Sequence, residues 1–226
     1  MSNNLKTYIS ESAKKVTSNK YLFGNIQVFV KDPLPEDFDL SAVMSSVEKL
    51  IPSRFVRNVE VVYIGQFETL IRRDLDAAYH DGAIYLSNEQ DNTEDMIDDI
   101  VHEIAHAVEE AEGLEMYSDN EIEREFLGKR QRLHDLLKAE GYDVDIRDFM
   151  NPEYSQEFDN FLDDTVGYPT LTSISMGLFF SPYAATSLRE YFANGFEAVY
   201  YHRENTYLKK ISPKLYNKIE NLSYNA

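Results

Sequence analysis

The sequence predicts an α+β protein in which a small mixed sheet precedes a largely helical C-terminal part. Three short segments rich in β-branched and aromatic residues all lie before residue 90, and apolar residues recur at helical spacing through much of the remainder. The hydrophobic share is 43%, with 16 Tyr and 13 Phe, which is enough apolar surface for a packed core. We expect one domain that covers residues 1–226.

The three predicted strands are residues 26–30, 59–64 and 83–87. The first reads IQVFV and the second VEVVYI, and both carry the β-branched content of buried strands. The third, AIYLS, directly follows Asp81 and Gly82, a pair typical of a tight turn. His80 is therefore expected in a turn, with a surface position.

Helices are predicted between and after these strands. Ser41 is expected to cap a short helix that ends before Pro52, and Asn92 or Thr93 is expected to cap a helix over residues 94–112. Gly113 supplies a stop for that second helix. Four further helices are predicted. A charged helix covers residues 119–140, two short helices cover 153–164 and 171–180, and a longer helix covers 187–202. Pro213 begins a last short helix.

We divide the predicted domain into three parts. Residues 1–112 hold the sheet and the helix over 94–112, residues from about 113 to 180 form a mostly helical and acidic middle part, and residues 181–226 complete the domain.

Composition excludes several classes of function. The chain has no cysteine, so a bound metal must be held by His and carboxylate groups. A net charge of −18 repels phosphate backbones and anionic lipids, so we expect neither a nucleic-acid partner nor a membrane partner. Residues 1–20 have no signal-peptide core and no segment is apolar enough to span a bilayer, which predicts a soluble protein, cytoplasmic or released by a non-classical route.

The strongest motif is HEIAH at residues 102–106, which matches HExxH and lies inside a predicted helix. A helix advances by about 400° over four residues, so His102 and His106 emerge from one face and can bind one metal ion. Glu103 points about 100° around the helix axis from His102, which suits a general base acting on a metal-bound water. The motif predicts one Zn²⁺.

A catalytic zinc needs a third protein ligand, and several acids compete for that role. Glu112 is where HExxHxxGxxH would place its last ligand, but Glu109 replaces the glycine that would turn the chain. In a continuing helix Glu112 points about 100° from the mean direction of the histidines, which excludes it. Glu109 and Glu110 are expected to be solvated.

The best candidate for the third ligand is Glu190, on a second predicted helix that begins near Ser187. Here the arrangement resembles that of the gluzincins, whose third ligand is a Glu on a helix that packs against the HExxH helix. Ala193 and Gly195 on this helix are small enough to permit close approach to the HExxH helix. An alternative remains open, because Ser187-x-x-Glu190 also matches a capping box in which the Glu190 side chain only bonds the first amides of its own helix.

Taken together, residues 83–112 and 183–200 resemble the gluzincins, and within them the catalytic domain of anthrax lethal factor and the Pro-Pro endopeptidases. The resemblance rests on HExxH, on Glu190 followed by Phe192 and Ala193, and on Tyr183 seven residues before Glu190. It implies a zincin-like fold, zinc ligation by Glu190 and a Tyr183 hydroxyl that donates to the oxyanion. The other reading of Tyr183 is an ordinary half-buried tyrosine. The stretch between His106 and Glu190 is longer than the resemblance implies, so residues from about 113 to 180 are expected to hold an acidic helical insertion that shapes access to the site or binds a protein partner.

The resemblance implies a zinc metallopeptidase, an endopeptidase that hydrolyses protein or peptide substrates with Glu103 as general base. The strand at residues 83–87 is expected to present its edge to an extended substrate. Two other classes stay open. One is a zincin-fold structural or binding component of a larger assembly with little or no proteolytic activity, and the other is an anionic mimic of nucleic acid. His134 and His202 are not needed for the site.

Overall fold

A computed structural model of the chain describes residues 20–36 and 38–224, and the predicted absence of a leader in residues 1–20 lies almost wholly outside this range. Helices and a five-stranded mixed sheet confirm the α+β class. The chain divides into two compact units, residues 1–104 and 105–226, and the boundary falls inside one continuous helix. The prediction of a single domain with three parts stays a prediction.

The sheet belongs to the first unit and has the order β1-β2-β3-β5-β4. Its strands are β1 (Lys20–Leu22), β2 (Ile26–Val30), β3 (Val61–Ile64), β4 (Ala77–His80) and β5 (Ala83–Leu86). The three central strands, β2, β3 and β5, are parallel, whereas β1 and β4 pair antiparallel at the two sides. Since the central strands are those with the most β-branched residues, the predicted strands form the centre of the sheet.

The expectation that residues 83–87 present a sheet edge is wrong. β5 pairs with β3 on one side and with β4 on the other, so the outer strand on this side is β4. Asp81 and Gly82 both have positive φ, 47° and 80°, and join β4 to β5 as a two-residue hairpin turn. The sequence AAYH does not predict the strand β4, because alanine has little strand preference. His80 is the last residue of this strand and is exposed, as expected of its surface position.

Within residues 20–92, as far as the structure describes them, two α-helices precede the motif helix. Helix α1 (Leu40–Leu50) is capped by Asp39, whose carboxylate accepts hydrogen bonds from the backbone N–H groups of Ser41 and Ala42, so the predicted cap at Ser41 is wrong by two residues. Helix α2 (Glu68–Arg73) was not predicted, because six residues are too few for a clear apolar period.

The motif helix α3 (Thr93–Tyr117) is longer than predicted. Asn92 caps it, since its side-chain oxygen accepts from the Asp95 N–H at 2.9 Å. Gly113 does not end the helix. One glycine costs only about 1 kcal/mol in a helix interior, and the extra turn buries Met116 to 2% exposure, which offsets that cost.

The second unit, residues 105–226, is helical apart from its connecting segments. After the end of α3 it contains α4 (Glu121–Ala139), α5 (Ile146–Phe149), α6 (Gln156–Asn160), α7 (Tyr168–Ile174), α8 (Leu188–Tyr200), α9 (Asn205–Ile211) and α10 (Pro213–Tyr224). The predictions for 119–140, 187–202 and the helix from Pro213 are confirmed. The two short predicted helices are displaced, because a π-helical turn at Phe161–Val166 and Gly167, with φ 79°, separate α6 from α7.

Two cations lie buried in the second unit. The Lys129 ammonium bonds the carbonyls of Leu178 and Ile211 and the hydroxyl of Ser212. The Arg130 side chain bonds the carbonyls of Asp148, Asn151 and Thr186, and its guanidinium lies 4.0 Å from the ring centroid of Phe158. Each charge is thus compensated by backbone dipoles or a π face, the condition for burying a cation. Helix α4 is held to its neighbours by these bonds.

Gly195 permits close packing between α8 and α10. A methyl group at Gly195 would lie 2.8 Å from Cγ of Leu215 and 3.1 Å from Cδ1 of Ile219, both on α10. The close approach that the sequence predicted for Gly195 against the motif helix is therefore made against α10.

Among the described residues, no helix is long and apolar enough to cross a membrane.

Candidate metal centre

Helix α3 presents the motif beside a buried apolar face. Five apolar side chains within and beside the motif are at most 2% exposed: Ile100, Val101, Ile104, Ala105 and Val108. Glu103 and His106 are each 5% exposed and His102 is half-buried. The spacing of four residues places both imidazoles on one face, one turn apart.

Glu190 on α8 reaches the same histidine pair. Its Oε1 atom lies 3.5 Å from Nε2 of His106, and the residue is 8% exposed. Ser187 caps α8, since its hydroxyl oxygen accepts from the Glu190 N–H at 3.1 Å. The Ser187 half of the capping box is thus present, while the Glu190 carboxylate lies against His106.

The three predicted ligands form one group positioned to hold a metal ion. One ligand atom from each of His102, His106 and Glu190 lies within 4.8 Å of the others. Two neutral imidazoles and one carboxylate are a frequent ligand set of catalytic zinc and leave a fourth position open. Among the described residues, Oε2 of Glu103 is buried without a hydrogen-bond partner. A buried acceptor of this kind fits a site that takes up a metal-bound water.

The other nitrogen of His106 meets a network that the sequence did not predict. Arg189 Nε lies 3.0 Å from His106 Nδ1 as a donor, and Glu109 Oε2 lies 3.8 Å from the same nitrogen. The Tyr117 hydroxyl donates to Glu109 Oε1 at 2.5 Å. The expectation that Glu109 is solvated is wrong, because it is half-buried between Tyr117 and His106. Its position three residues after His106, on the same helix face, was the available signal.

Two acids that follow the motif on the same helix lie outside the ligand group. Glu110 and Glu112 are exposed, and neither belongs to the ligand group. The exclusion of Glu112 by helix direction therefore agrees with its exposure.

Tyr183 lies in a short 3₁₀ turn, Tyr183–Ala185, directly before α8. It is half-buried, and burial raises the pKa of its phenol, with a further rise from the negative charge of Glu190. The hydroxyl therefore stays protonated at neutral pH and remains able to donate a hydrogen bond.

An acidic cavity of about 270 Å³ lies in the first unit. Its lining is carboxylates and one amide: Asp76, Glu89, Gln90, Asp91, Asp95, Asp98 and Asp99. Burial raises the pKa of Asp99 to about 7, and a hydrogen bond from Gln90 opposes that rise. The negative charges of Asp76 and Glu103 raise it further, whereas His102 lowers it.

The other histidines take no part in the ligand group. His134 is 7% exposed, with its Nδ1 atom 2.9 Å from Asp135 and its ring against Phe149. His202 is exposed and lies just beyond the end of α8.

The chain matches no known protein-family model, no curated protein and no solved structure. The case for its function therefore rests on the geometry of its own residues.

Proposed function

We propose that the protein is a zinc-dependent endopeptidase of the gluzincin class, with a zincin-like fold similar to that of the anthrax lethal factor catalytic domain and the Pro-Pro endopeptidases. The observation that supports this most is the meeting of His102, His106 and Glu190. This set unites an HExxH pair with a glutamate 84 residues further along the chain, a partner that helix spacing alone does not supply.

His102, His106 and Glu190 would hold one Zn²⁺. Bound there, zinc polarises a peptide carbonyl and lowers the pKa of a coordinated water toward 7. Two neutral histidines and one carboxylate give the site a single negative charge before the ion binds, so the ion retains net positive charge and its acidity toward water.

Glu103 serves as the proton carrier. Its buried Oε2 has an open acceptor position, so it can take the proton of the attacking water and then deliver it to the leaving amine. Tyr183 serves as a donor to the developing oxyanion, and its raised pKa keeps the proton on the phenol at neutral pH.

The substrate in this proposal is a protein or peptide segment in extended conformation. β4, as the outer strand of the sheet, takes the pairing role first assigned to residues 83–87. The chain has 40 acidic and 22 basic residues, and this negative charge disfavours nucleic-acid binding and favours substrates or partners with basic segments.

The test is hydrolysis of a peptide library by the zinc-loaded protein, followed by mass spectrometry. We expect cleavage that a chelator abolishes and added zinc restores. Glu103→Gln should bind zinc with wild-type stoichiometry and lose cleavage by at least about 10³-fold, whereas Glu110→Gln, an exposed neighbour on the same helix, should cleave as the wild type does.

Two results would reject the proposal. Full activity in Glu103→Gln would remove the assigned base. A zinc-loaded wild type without any cleavage would favour the alternative, a zincin-fold component that serves as a structural or binding part of an assembly.

A further inference from the structure

The ring of His106 faces a different partner on each nitrogen. Nε2 lies 3.5 Å from Glu190 Oε1, on the side of the ligand group. Nδ1 lies 3.0 Å from Arg189 Nε and 3.8 Å from Glu109 Oε2. The two faces of one imidazole thus meet a ligand carboxylate and a cation–carboxylate pair.

The contact with Arg189 has a chemical consequence. A guanidinium can only donate hydrogen bonds, so Nδ1 must accept, and the neutral ring then carries its proton on Nε2. A protonated Nε2 has no lone pair for a metal. Ligation through Nε2 requires the other tautomer, with the proton on Nδ1 and an acceptor beside it.

Glu109 is the acceptor within reach. Its Oε2 atom must approach Nδ1 by about 1 Å to make a hydrogen bond of ordinary length. Its other oxygen is fixed by the Tyr117 hydroxyl at 2.5 Å, and Arg189 Nε lies 3.7 Å from Oε2. The carboxylate is therefore held by one oxygen, and the second is directed between the imidazole and the guanidinium.

We propose that Glu109 is the positioning residue for His106: its carboxylate accepts a hydrogen bond from Nδ1–H and so sets the tautomer that leaves the Nε2 lone pair free to bind zinc. Arg189 then transfers its hydrogen bond from the imidazole to Glu109. Tyr117 orients the carboxylate. This inference rests on the proposed function, because it concerns the same metal.

The competing view is that Glu109 only pairs with Arg189 and stabilises the second unit. Under that view its replacement lowers stability without changing metal affinity. Under ours, affinity falls because the metal-binding tautomer loses its acceptor. Loss of an acceptor of this type typically costs 10- to 100-fold in metal affinity.

The experiment measures the zinc dissociation constant by competition with a chromophoric chelator. Glu109→Ala should weaken zinc binding by roughly 10- to 100-fold, and Glu109→Gln, which keeps a neutral acceptor, by a smaller factor. Tyr117→Phe should have the smallest effect of the three. Glu110→Gln is the matched control, since it makes the same change one residue away on an exposed position.

A spectroscopic measurement distinguishes an effect of Glu109 on the His106 tautomer from an effect on the stability of the second unit. In two-bond ¹H–¹⁵N spectra, His106 of the metal-free wild type should carry its proton on Nε2, and the zinc-loaded protein should carry it on Nδ1. The Nδ1 proton should exchange slowly with water in the wild type and quickly in Glu109→Ala. The resonances are assigned by their loss in His106→Asn.

Each outcome decides something. Equal zinc affinity in Glu109→Ala and the wild type overturns the inference and leaves the proposed function intact, whereas a wild type that binds no zinc rejects the proposed function itself. If Glu109→Ala does not fold, the comparison passes to Glu109→Gln and Tyr117→Phe. Wild-type affinity in both of those variants also overturns the inference.

Discussion

Oε1 of Glu190 lies 3.5 Å from Nε2 of His106, while the backbone N–H of the same glutamate donates to the hydroxyl oxygen of Ser187 at 3.1 Å. The cap and the candidate ligand are thus different atoms of one residue. Ser187-x-x-Glu190 starts the helix through its backbone, and the start of the helix fixes the direction of the carboxylate.

This division of roles predicts opposite phenotypes for two substitutions. Glu190→Gln should abolish tight zinc binding with little change in the thermal stability of the metal-free protein. Ser187→Ala should retain zinc and lower stability by about 1 kcal/mol. Zinc analysis and thermal denaturation check both. Unchanged zinc content in Glu190→Gln, with lower stability, would show that Glu190 acts only as a cap.

Tyr183→Phe removes one hydroxyl from the turn before α8. Removal of one oxyanion donor typically costs about 10²- to 10³-fold in kcat, so we expect a loss of that size with KM and zinc content near wild type. Steady-state kinetics on a cleaved peptide provides the measurement. Tyr207→Phe, a partly exposed tyrosine on α9, is the control. A Tyr183→Phe enzyme with wild-type kcat would leave the tyrosine a packing role only.

The raised pKa of Asp99 predicts that the stability of the protein depends on pH. The carboxyl has an ordinary pKa of about 4 in the unfolded chain and about 7 in the folded protein. Between these values the folded state binds more protons than the unfolded state, so stability falls as pH rises from about 4 to about 7. The charged groups that face Asp99 are the other acids of the cavity, together with Glu103 and His102.

Asp99→Asn removes this ionisation and keeps an acceptor for Gln90. Relative to the wild type, the variant should gain roughly 2–3 kcal/mol between pH 4 and pH 8, because each pKa unit corresponds to about 1.4 kcal/mol and contact with water reduces the full effect. Urea denaturation of the metal-free protein across this range measures it. Glu112→Gln, exposed on the same helix, should show no such gain. A constant difference at all pH values would refute the prediction.

Gly195 and Gly128 form a matched pair. Both lie inside helices, but a methyl group at Gly195 would contact Leu215 and Ile219, whereas one at Gly128 would meet nothing within 4 Å. Gly195→Ala should therefore destabilise the protein by about 1–3 kcal/mol through overpacking. Gly128→Ala should stabilise it by about 0.5–1 kcal/mol through helix propensity. Chemical denaturation decides, and equal effects in both variants would contradict the packing of α8 on α10.

The sequence predicted those parts of the fold that local chemistry determines. The central strands are rich in β-branched residues, and the long helices have a clear apolar period, so both were found. β4 was missed because its four residues carry two alanines and derive their strand conformation from pairing with β5. Gly113 suggests a helix stop by a local rule that does not include the burial of Met116 one turn later.

The candidate site divides in the same way. His102, Glu103 and His106 follow from spacing on one helix, and Glu190 was found by a motif on a second helix. Glu109 lies three residues after His106 on the same helix face, which is a local signal for their contact, but its pairing with Arg189 joins residues 80 apart in the chain. The contact with Arg189 is tertiary and leaves no local pattern.

The buried guanidinium of Arg130 ties the carbonyls of Asp148 and Asn151 to that of Thr186, directly before α8, while the Leu188 N–H donates to the Pro152 carbonyl at 2.8 Å. These hydrogen bonds fix the position of residues 140–152 relative to the first turn of the helix that carries Glu190. In relatives of this protein we expect residues 140–152 to vary by substitution and to keep a constant length, because one added or deleted residue would break these bonds.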